Sequence, residues 1–487
     1  MMILEVLGNP YQYELEKLTR VFFPNEKIRV VFAQGTYPAD ETVCTAQIEA
    51  DTARVSIQLD GQKWCKAERL AKEDDRELQL ATLLFCGLQE LTGYTPQWGL
   101  LTGIRPSKLL LTLQAEMGKE AAHEYFTDRF FVSPQKTALT ESVAARETAI
   151  IASSCPASCS LYVSIPFCPT RCSYCSFVSH AMTSDTAKKL VPDYVRLLCE
   201  EIKQTGAYAK QLGLRLESVY FGGGTPTTLA ADELRRLLAA VGEAFDLSAV
   251  REYTVEAGRP DTITREKLDA LKSGGVTRIS INPQTFNDAV LREIGRKHTA
   301  ALTEEKFYEA RKAGFRNINM DFIAGLPTET VSSFCNSIDK ALSLTPENIT
   351  VHTLSVKRAS NLGTHNTQIE RAAGKAADEM LNYAYQSLTA ADYNPYYMYR
   401  QSKTLGNLEN TGYAKSGFAC IYNIFMMEEC HTVFAVGAGA VTKLKAPHGK
   451  EIERIFNYKY PYEYISGFAE MEKRKAAILP FYEKYGI

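Results

Sequence analysis

From residue 160 onward, the sequence alternates short apolar runs with amphipathic stretches of helical period. The apolar runs are candidate strands and occupy residues 161–165, 218–221, 253–256, 278–281, 317–323 and 348–354. The candidate helices between them occupy residues 187–203, 231–244, 265–272, 303–313 and 330–342. Strands that alternate with helices predict an α/β fold with a parallel sheet. Six such units can form an open, partial (β/α)6 barrel, and active sites in such barrels lie at the C-terminal ends of the strands.

The parts of the chain on either side of this alternation follow different patterns. Residues 27–34, 42–50 and 54–59 are predicted strands, and residues 67–91, 107–116 and 134–152 are predicted helices. The C-terminal part is less regular and contains a Gly-rich turn at 436–440. A chain of 487 residues exceeds what one hydrophobic core usually accommodates. We therefore predict an N-terminal α+β accessory domain (1–155), a core barrel (156–370) and a mixed C-terminal extension (371–487).

Charge and hydropathy exclude several function classes. The 55 Lys and Arg residues nearly balance the 57 Asp and Glu residues, so no basic excess indicates a nucleic-acid partner. No apolar run approaches the roughly 20 residues that span a bilayer, and the N-terminus lacks the basic start of a secretory signal. These features predict a cytoplasmic protein without a membrane span. In a reducing cytosol the 12 cysteines are expected to be thiols or ligands rather than disulfides.

Three cysteines follow the first candidate strand, in the run Tyr162-Val-Ser-Ile-Pro-Phe-Cys-Pro-Thr-Arg-Cys-Ser-Tyr-Cys-Ser-Phe177. Cys168, Cys172 and Cys175 have the spacing C-x3-C-x2-C. Three close thiolates can ligate an iron–sulfur cluster or a metal ion. A four-iron cluster usually takes four cysteines, so three would leave one iron free to bind another molecule. Two alternatives are structural zinc with His180 as the fourth ligand and a loop of three buried thiols.

Polar and glycine residues stand where the other candidate strands end. The run Tyr220-Phe-Gly-Gly-Gly-Thr-Pro-Thr227 closes the second strand, and glycines there allow a ligand to approach the backbone without a Cβ in the way. The alternative is a tight β–α turn. Four polar residues follow or close later units, namely Glu256, Gln284, Arg296 and Asp321. Each could be a polar residue that fills the barrel, but four at one rim beside a cysteine loop favour a ligand site.

Together these motifs resemble the radical S-adenosylmethionine superfamily and, more narrowly, the oxygen-independent coproporphyrinogen III oxidase (dehydrogenase) family. The resemblance covers roughly residues 160–445, with Tyr-Val-x-Ile-Pro-Phe-Cys, Gly-Gly-Gly-Thr-Pro-Thr and Asp-x-Ile-x-Gly-Leu-Pro in the same order. The N-terminal region and the run Gly406-Asn-Leu-Glu-Asn-Thr-Gly-Tyr-Ala414 resemble the longer branch of the family, which has an extra N-terminal domain. The resemblance implies a partial radical-SAM barrel whose C-terminal region (371–487) covers the substrate.

The resemblance implies roles for matching residues. The ligands of a 4Fe-4S cluster would be Cys168, Cys172 and Cys175. Contacts with the S-adenosylmethionine bound at the open iron would come from Tyr162, Gly223 and Glu256. Contacts with the nucleoside, and with a second S-adenosylmethionine if two are bound, would come from Tyr174, Gly224, Thr225, Gln284, Arg296 and Asp321. No catalytic side chain is assigned.

The activity that the resemblance implies is oxidative decarboxylation in heme biosynthesis. A reductant such as flavodoxin or ferredoxin would supply one electron, and S-adenosylmethionine would yield a 5′-deoxyadenosyl radical. The radical would remove a β-hydrogen from a propionate of coproporphyrinogen III, and loss of CO2 and an electron would leave a vinyl group. Two such rounds would give protoporphyrinogen IX. The cofactors supply this chemistry, while the protein supplies position and exclusion of water.

The sequence departs from the best-studied branch of the family at two positions. Phe177 stands where that branch has a further cysteine, and Ser164 stands where it has a histidine. These differences leave the cluster ligands intact but bear on the substrate and on the number of bound S-adenosylmethionine molecules.

Two alternative functions stay open at this point. Heme-binding chaperones of the same family resemble one another in a C-terminal His-Asn-x-x-Tyr-Trp segment, whereas this chain has His365-Asn366 followed by Thr-Gln-Ile-Glu. A radical enzyme that acts on heme itself is the other alternative. For the dehydrogenase, the propionates need cationic partners, and the candidates are Lys357, Arg358, Arg400 and Lys403, with Tyr396, Tyr397 and Tyr399 nearby.

Overall fold

The computed structural model describes residues 1–24, 26–70, 75–177, 179–355, 367–401 and 403–486. The chain divides into two compact units. The N-terminal unit comprises Met1–Glu141, Gly363–Asp378 and Tyr399–Glu409, and the barrel unit comprises Ser142–Leu362, Glu379–Met398 and Asn410–Ile487. Among the described residues, no helix combines the length and the apolar character needed to cross a lipid bilayer.

A five-stranded sheet and two helices form the core of the N-terminal unit. The strands are β1 (Met2–Leu7), β2 (Ile28–Val31), β3 (Thr42–Glu49), β4 (Thr52–Leu59) and β5 (Gln62–Arg69), in the order β2-β1-β3-β4-β5. The two core helices are α1 (Gln12–Phe22) and α2 (Arg76–Thr92), and α3 (Pro106–Met117) and α4 (Lys119–Glu124) follow them in the chain. Apolar residues of α1 and α2, such as Leu18 and Leu84, pack with Leu4 and Val55 of the sheet. β1 is parallel to β2 and β3, and β3, β4 and β5 form an antiparallel meander.

The strand β5 corrects the predicted helix at residues 67–91. Residues Gln62–Arg69 pair along their whole length with β4, from Leu59↔Gln62 to Thr52↔Arg69, and α2 begins at Arg76. Ala, Glu and Arg are good helix formers, but pairing with the neighbouring strand overrides local propensity. The sequence-based assignment also missed β1.

The barrel unit is built on one large sheet. Its strands are β6 (Ser158–Ile165), β9 (Arg215–Gly223), β10 (Glu252–Glu256), β11 (Arg278–Ser280), β12 (Ile318–Ala324), β13 (Asn348–Thr353), β14 (Asn394–Arg400), β15 (Glu409–Ala414), β16 (Thr432–Val436), β17 (Val441–Lys445) and β18 (Ile452–Phe456). In the described chain the order is β14-β15-β13-β12-β11-β10-β9-β6-β16-β17-β18. A short separate pair consists of β7 (Phe167–Cys168) and β8 (His180–Ala181). The six strands predicted from the alternation are all present. They are β6, β9, β10, β11, β12 and β13, and each is parallel to its neighbour in this order.

Helices connect the parallel strands, as the predicted (β/α) pattern requires. The helices between the parallel strands are α6 (Asp185–Gln211), α7 (Ala231–Ala244), α8 (Arg265–Ser273), α9 (Asp288–Glu293), α10 (Ala300–Lys312) and α11 (Val331–Leu344). The other helices are α5 (Pro134–Ala152) before β6 and, after β13, α12 (Thr367–Ala390), α13 (Ile421–Glu428), α14 (Pro461–Ser466), α15 (Phe468–Lys475) and α16 (Ile478–Glu483). Side-chain hydroxyls of Thr264, Thr299 and Thr330 cap α8, α10 and α11. Most of residues 379–487 belong to the same compact unit as the parallel strands. The domain boundaries at residues 155 and 370 stay a prediction.

The parallel register separates a polar face of the sheet from an apolar one. Paired positions of neighbouring strands lie on the same face, and Tyr162 pairs with Tyr220, which pairs with Thr254. Glu256 on β10 continues this row toward Ser280 on β11. The intervening positions are buried and apolar, namely Leu161, Val163, Val219, Phe221 and Val255. The polar face and the C-terminal strand ends are therefore where the candidate residues lie.

Glu409 is the centre of a buried polar cluster in the N-terminal unit. Its carboxylate oxygens accept hydrogen bonds from Lys136 Nζ and Trp98 Nε1, both at 2.8 Å. Burial would raise the pKa of Glu409, but Lys136 holds that pKa below its ordinary value. Lys136 also lies 3.2 Å from Asp378. The ammonium group is therefore compensated by two carboxylates.

The structure corrects one candidate for substrate binding. Arg400 is 3% exposed, and its guanidinium donates to the carbonyl oxygens of Leu101 (2.6 Å) and Asn407 (3.2 Å). It also lies over the ring of Trp98, at 5.0 Å from the centroid. Because these donors bind carbonyls within the N-terminal unit, the proposal that Arg400 binds a propionate is wrong. Lys403 is exposed, and Lys357 and Arg358 lie outside the described residues.

Replacing Lys136 with Met should destabilise the N-terminal unit by about 3–5 kcal/mol, because it removes the ammonium group that pairs with the buried carboxylate of Glu409 and with that of Asp378. The measurement is urea denaturation followed by tryptophan fluorescence. Both tryptophans of the chain, Trp64 and Trp98, lie in this unit. The matched control is Lys66→Met, because Lys66 is 54% exposed and pairs with Glu68 on the surface. Equal urea midpoints for the two variants would refute the structural role of Lys136.

Candidate functional site

Cys168 ends β7, and Cys172 and Cys175 lie on the loop between β7 and β8, which is tied to the barrel on several sides. Met182 N donates to Cys168 O (2.8 Å), and Cys175 N donates to Cys172 O (3.2 Å). The segment after α9 supports the loop from another side, where Ser173 N donates to Ile294 O (3.1 Å). The loop is thus fixed by backbone hydrogen bonds at the C-terminal end of β6.

Each thiol has a distinct polar environment. Cys168 Sγ lies 3.6 Å from Thr225 Oγ1, and Cys172 Sγ accepts a hydrogen bond from Arg259 at 3.6 Å. Burial raises the pKa of Cys168 and of Cys175 above the ordinary thiol value. All three cysteines are free thiols. The site therefore presents three thiols, which become soft thiolate ligands once a metal displaces their protons.

His180, the fourth ligand in the zinc alternative, lies on β8 beside the cysteine loop. In the register of β7 and β8, His180 pairs with Phe167, and its ring packs near those of Tyr460 (6.3 Å) and Tyr462 (6.2 Å). Within the residues that the structure describes, no three His, Cys, Asp or Glu side chains are grouped so that they could hold one metal ion. The ligands of a four-iron cluster are spread around a larger body than those of a single ion. Three soft thiol donors on one loop therefore fit such a cluster.

The glycines at the end of β9 pack against the strand that leads to the cysteines. Gly224 N donates to Ile165 O and Thr225 N donates to Phe167 O, both at 2.8 Å. A Cβ on Gly224 would lie 2.6 Å from Phe167 O, and Gly223 has φ +107°. The glycine at 224 is thus required by a close approach of two backbone segments, a purpose that the sequence did not reveal.

Glu256 is held on the polar face of the barrel by a tyrosine. Tyr220 Oη donates to Glu256 Oε1 at 2.6 Å. Burial, assisted by the charge of Asp321 and opposed by the hydrogen bond from Tyr220, raises the pKa of Glu256 to about 7. The Tyr220 ring stacks on Tyr422 (4.6 Å between centroids), and Tyr162 stacks on both at 6.2–6.3 Å. These rings fix the position of the Tyr220 hydroxyl and hence of the carboxylate.

Asp321 lies in the middle of β12, and Gln284 lies beyond the end of the neighbouring strand β11. Asp321 Oδ1 accepts from Asn319 Nδ2 (2.7 Å), and Asp321 Oδ2 lies 3.9 Å from His352 Nε2. Burial would raise the pKa of Asp321, but His352 and Asn319 hold it below its ordinary value. Gln284 N donates to Asp321 O at 2.9 Å, and Gln284 adopts φ +70°, which is uncommon for a residue with a side chain. Such strain is frequent at ligand sites.

Arg296 connects the strand ends to the cysteine loop. Its guanidinium donates to Asn282 O (2.7 Å) on one side and to Tyr174 Oη (3.0 Å) on the other. Burial would lower the pKa of Arg296, but Tyr174 and Cys172 raise it. Arg296 is 8% exposed and therefore carries a buried positive charge directly beside the candidate cluster ligands.

The structure brings the candidate site residues together at one end of the barrel unit. Direct contacts join Cys168 to Thr225, Tyr174 to Arg296, and Gln284 to Asp321. Glu256 is joined to Tyr162 through Tyr220 and interacts electrostatically with Asp321. Several residues that contact these groups were not predicted from the sequence, among them Tyr220, Arg259, His352 and Tyr422. Their position near strand ends would have indicated all but Tyr422, which lies on the later helix α13.

The chain has clear relatives among known proteins. Residues 162–341 match the family model described as the radical SAM superfamily. The chain is 36% identical over 479 residues to the oxygen-independent coproporphyrinogen-III oxidase-like protein HemZ of Bacillus subtilis (strain 168), covering 96% of this chain and 95% of that protein. It is 31% identical over 315 residues to the heme chaperone HemW of Haemophilus influenzae, covering 63% of this chain and 76% of that protein.

A solved structure has a similar fold. The match is coproporphyrinogen III oxidase (HemN) from Escherichia coli, with a TM-score of 0.50 and 22% identity, covering 66% of this chain and 72% of that chain. At this identity the likeness bears on the fold alone. The predicted fold class is confirmed: an α/β core of partial-barrel type with an N-terminal α+β region and a C-terminal extension.

Replacing Gly224 with Ala should lower the thermal unfolding midpoint of the barrel unit and cost about 1–3 kcal/mol through overpacking. The cause is the collision of the new Cβ with the carbonyl oxygens of Phe167 and Ile165. The measurement is differential scanning calorimetry. The matched control is Gly242→Ala in α7, where the nearest atom is Leu247 Cδ1 at 3.8 Å and alanine should stabilise the helix. A Gly224→Ala midpoint no lower than that of the control would disprove the close approach.

Proposed function

Because this chain belongs to the radical SAM superfamily, among its oxygen-independent coproporphyrinogen-III oxidase-like proteins, we propose that it converts coproporphyrinogen III to protoporphyrinogen IX by anaerobic oxidative decarboxylation. Membership implies a radical enzyme with a 4Fe-4S cluster and bound S-adenosylmethionine. The substrate and the reaction are the proposal.

The observation that carries the proposal is the meeting of three motifs at one end of the barrel. Thr225 from the glycine segment lies against Cys168, and Arg296 from the segment after α9 lies against Tyr174 of the cysteine loop. A sulfur donor set, a glycine-lined backbone and paired acidic and basic groups therefore share one site. This combination suits a ligand with an amine, a carboxylate and ribose hydroxyls.

The residues of the site have separate tasks in this proposal. Cys168, Cys172 and Cys175 would hold the cluster. When bound, the cluster and S-adenosylmethionine supply the 5′-deoxyadenosyl radical. Glu256 would accept hydrogen bonds from the amino group of S-adenosylmethionine. Tyr162 and Gly223 would contact the same molecule. The nucleoside, and a second S-adenosylmethionine if two are bound, would be contacted by Tyr174, Gly224, Thr225, Gln284, Arg296 and Asp321.

The substrate assignment has support of a different kind. It comes from the relative described as coproporphyrinogen-III oxidase-like, which matches along 96% of this chain. A propionate that loses a hydrogen atom, CO2 and one further electron becomes a vinyl group, so an electron acceptor is needed as well as a reductant such as flavodoxin or ferredoxin. Of the described cationic candidates for the propionates, Lys403 remains after the exclusion of Arg400.

A second candidate function is binding and transfer of heme. It is favoured by the 31% identity to a protein described as a heme chaperone. The segment that resembles that group in part, His365-Asn366, lies outside the described residues. The two functions differ in chemistry, because only the dehydrogenase consumes S-adenosylmethionine and forms a vinyl product.

The affinity for S-adenosylmethionine should rise with pH. Glu256 must be ionised to accept hydrogen bonds with both oxygens, and its pKa of about 7 means that the carboxylate fraction, and with it the affinity, grows by about tenfold between pH 6 and pH 8. The measurement is equilibrium dialysis with anaerobically reconstituted protein. Glu256→Gln should bind more weakly and show a flatter profile.

The matched control for this pH dependence is Glu266→Gln, because Glu266 is an exposed carboxylate at the start of α8. It should keep the profile of the parent protein. An identical slope in Glu256→Gln and the parent would show that another group controls the binding.

The reaction itself can be tested under anaerobic conditions. Protein reconstituted with iron and sulfide is reduced and given S-adenosylmethionine and coproporphyrinogen III, and 5′-deoxyadenosine and the vinyl product are quantified by mass spectrometry. The parent should form both. Cys172→Ala should form neither, because it lacks a cluster ligand, whereas Cys155→Ala, which removes an exposed cysteine, should retain both.

Other outcomes would redirect the assignment. Deoxyadenosine without vinyl product would contradict coproporphyrinogen as the substrate, and heme would then be tested. Neither product, from protein with an intact cluster and tight heme binding, would contradict the dehydrogenase in favour of the chaperone.

A further inference from the structure

A buried arginine that the proposed reaction does not use lies against one of the cluster ligands. Arg259 follows β10 in the run Glu256-Ala-Gly-Arg-Pro260 and is 3% exposed. One terminal nitrogen of its guanidinium donates to Cys172 Sγ (3.6 Å) and to Thr170 Oγ1 (3.1 Å). The positive group therefore contacts the cysteine loop both at a candidate ligand and at the side-chain hydroxyl of Thr170 before it.

The other edge of the guanidinium is held by a carboxylate. Arg259 Nε and its second terminal nitrogen donate to the two oxygens of Asp261, both at 2.9 Å. Burial would raise the pKa of Asp261, but Arg259 holds it below its ordinary value. This bidentate pairing fixes the plane of the guanidinium and leaves the other terminal nitrogen for Cys172 and Thr170.

Two further titratable residues lie near this pair, the neutral His298 and the positively charged Arg296. His298 lies 3.8 Å from Asp261 Oδ1, and burial, with Arg296 and Arg259 nearby, lowers its pKa to about 3, so the ring is neutral. Arg296 is the second positive group, and it interacts with Cys172. Both guanidinium groups therefore act on Cys172. Cys168 instead has the neutral hydroxyls of Thr225 and Ser179 beside it, and Arg259 acts on it only through its charge.

We propose that Arg259, oriented by Asp261, is a positioning residue that raises the reduction potential of the cluster through Cys172. This inference rests on the proposed function, because it requires that the three cysteines hold a cluster. Reduction adds negative charge to the cluster, and a hydrogen bond or positive charge at a ligand sulfur stabilises the reduced form. Asp261 opposes this effect, since its negative charge partly cancels that of the arginine.

A purely structural role for Arg259 makes a different prediction. If Arg259 serves only to pin Thr170 and the cysteine loop, its replacement would reduce the amount of cluster that assembles. The potential of the cluster that does assemble would not change. The potential per assembled cluster therefore separates tuning from support of the loop.

The experiment is an anaerobic redox titration monitored by electron paramagnetic resonance, with iron and sulfide content measured on the same samples. In Arg259→Gln the equilibrium constant for cluster reduction should fall about tenfold. The midpoint potential should therefore shift downward by about 59 mV for one electron. Arg259→Lys, which keeps the charge, should restore part of the shift. Asp261→Asn should move the midpoint upward. The matched control is Arg292→Gln, an exposed arginine of α9, which should leave the midpoint unchanged because solvent screens its charge.

Opposite shifts in Arg259→Gln and Asp261→Asn support the inference. An unchanged midpoint in Arg259→Gln, at full iron content, overturns it. If Arg259→Gln assembles no cluster, Arg259→Lys decides: a midpoint below that of the parent, at full iron content, supports tuning, and an unchanged midpoint overturns it. A parent protein that assembles no cluster would contradict the proposed function and this inference together. A cluster that assembles but whose midpoint potential is the same in these variants would contradict the inference alone.

Discussion

The close contact between residues 222–225 and the backbone of residues 165–167 is the constraint on which the site depends. Two hydrogen bonds, from Gly224 N to Ile165 O and from Thr225 N to Phe167 O, continue the pairing of β6 and β9 beyond the sheet. Because a side chain at Gly224 would collide with this backbone, the approach is possible only for glycine. The contact carries the chain directly to Cys168 and places Thr225 against its sulfur. The parallel register then brings the ends of the next strands to the same edge.

The site concentrates charged groups that are costly to bury unless each has a partner. Glu256 has Tyr220, Asp321 has Asn319 and His352, Arg296 has Asn282 and Tyr174, and Arg259 has Asp261. These partners fix the orientation of each group before a ligand arrives, which is how a protein positions reactive cofactors without further reorganisation. The pKa of Glu256 stays raised because the effect of burial outweighs the hydrogen bond from Tyr220.

The parallel strands of the fold and the cysteine loop of the site can be predicted from local sequence. Strand–helix alternation and the spacing of Cys168, Cys172 and Cys175 are both visible in short segments of the chain. The six parallel strands were predicted for the same reason. The contacts that orient the site are not visible in this way: Tyr422 meets Tyr220 across about 200 residues, and Arg259 meets Cys172 across 87. Arg400 shows the opposite error, since its charge suggested a substrate contact while its donors bind carbonyls of Leu101 and Asn407. The strand β5 was missed because its pairing with β4, rather than its composition, determines its structure.

The central claim is that this site removes a hydrogen atom from a propionate side chain. The most direct measurement uses coproporphyrinogen III with deuterium at the β-carbons of its propionates, in a single turnover under anaerobic conditions. Mass spectrometry of the 5′-deoxyadenosine formed should show one transferred deuterium per molecule. Deoxyadenosine without deuterium, formed in the presence of the labelled substrate, would contradict the claim, because the hydrogen atom would then have come from another source.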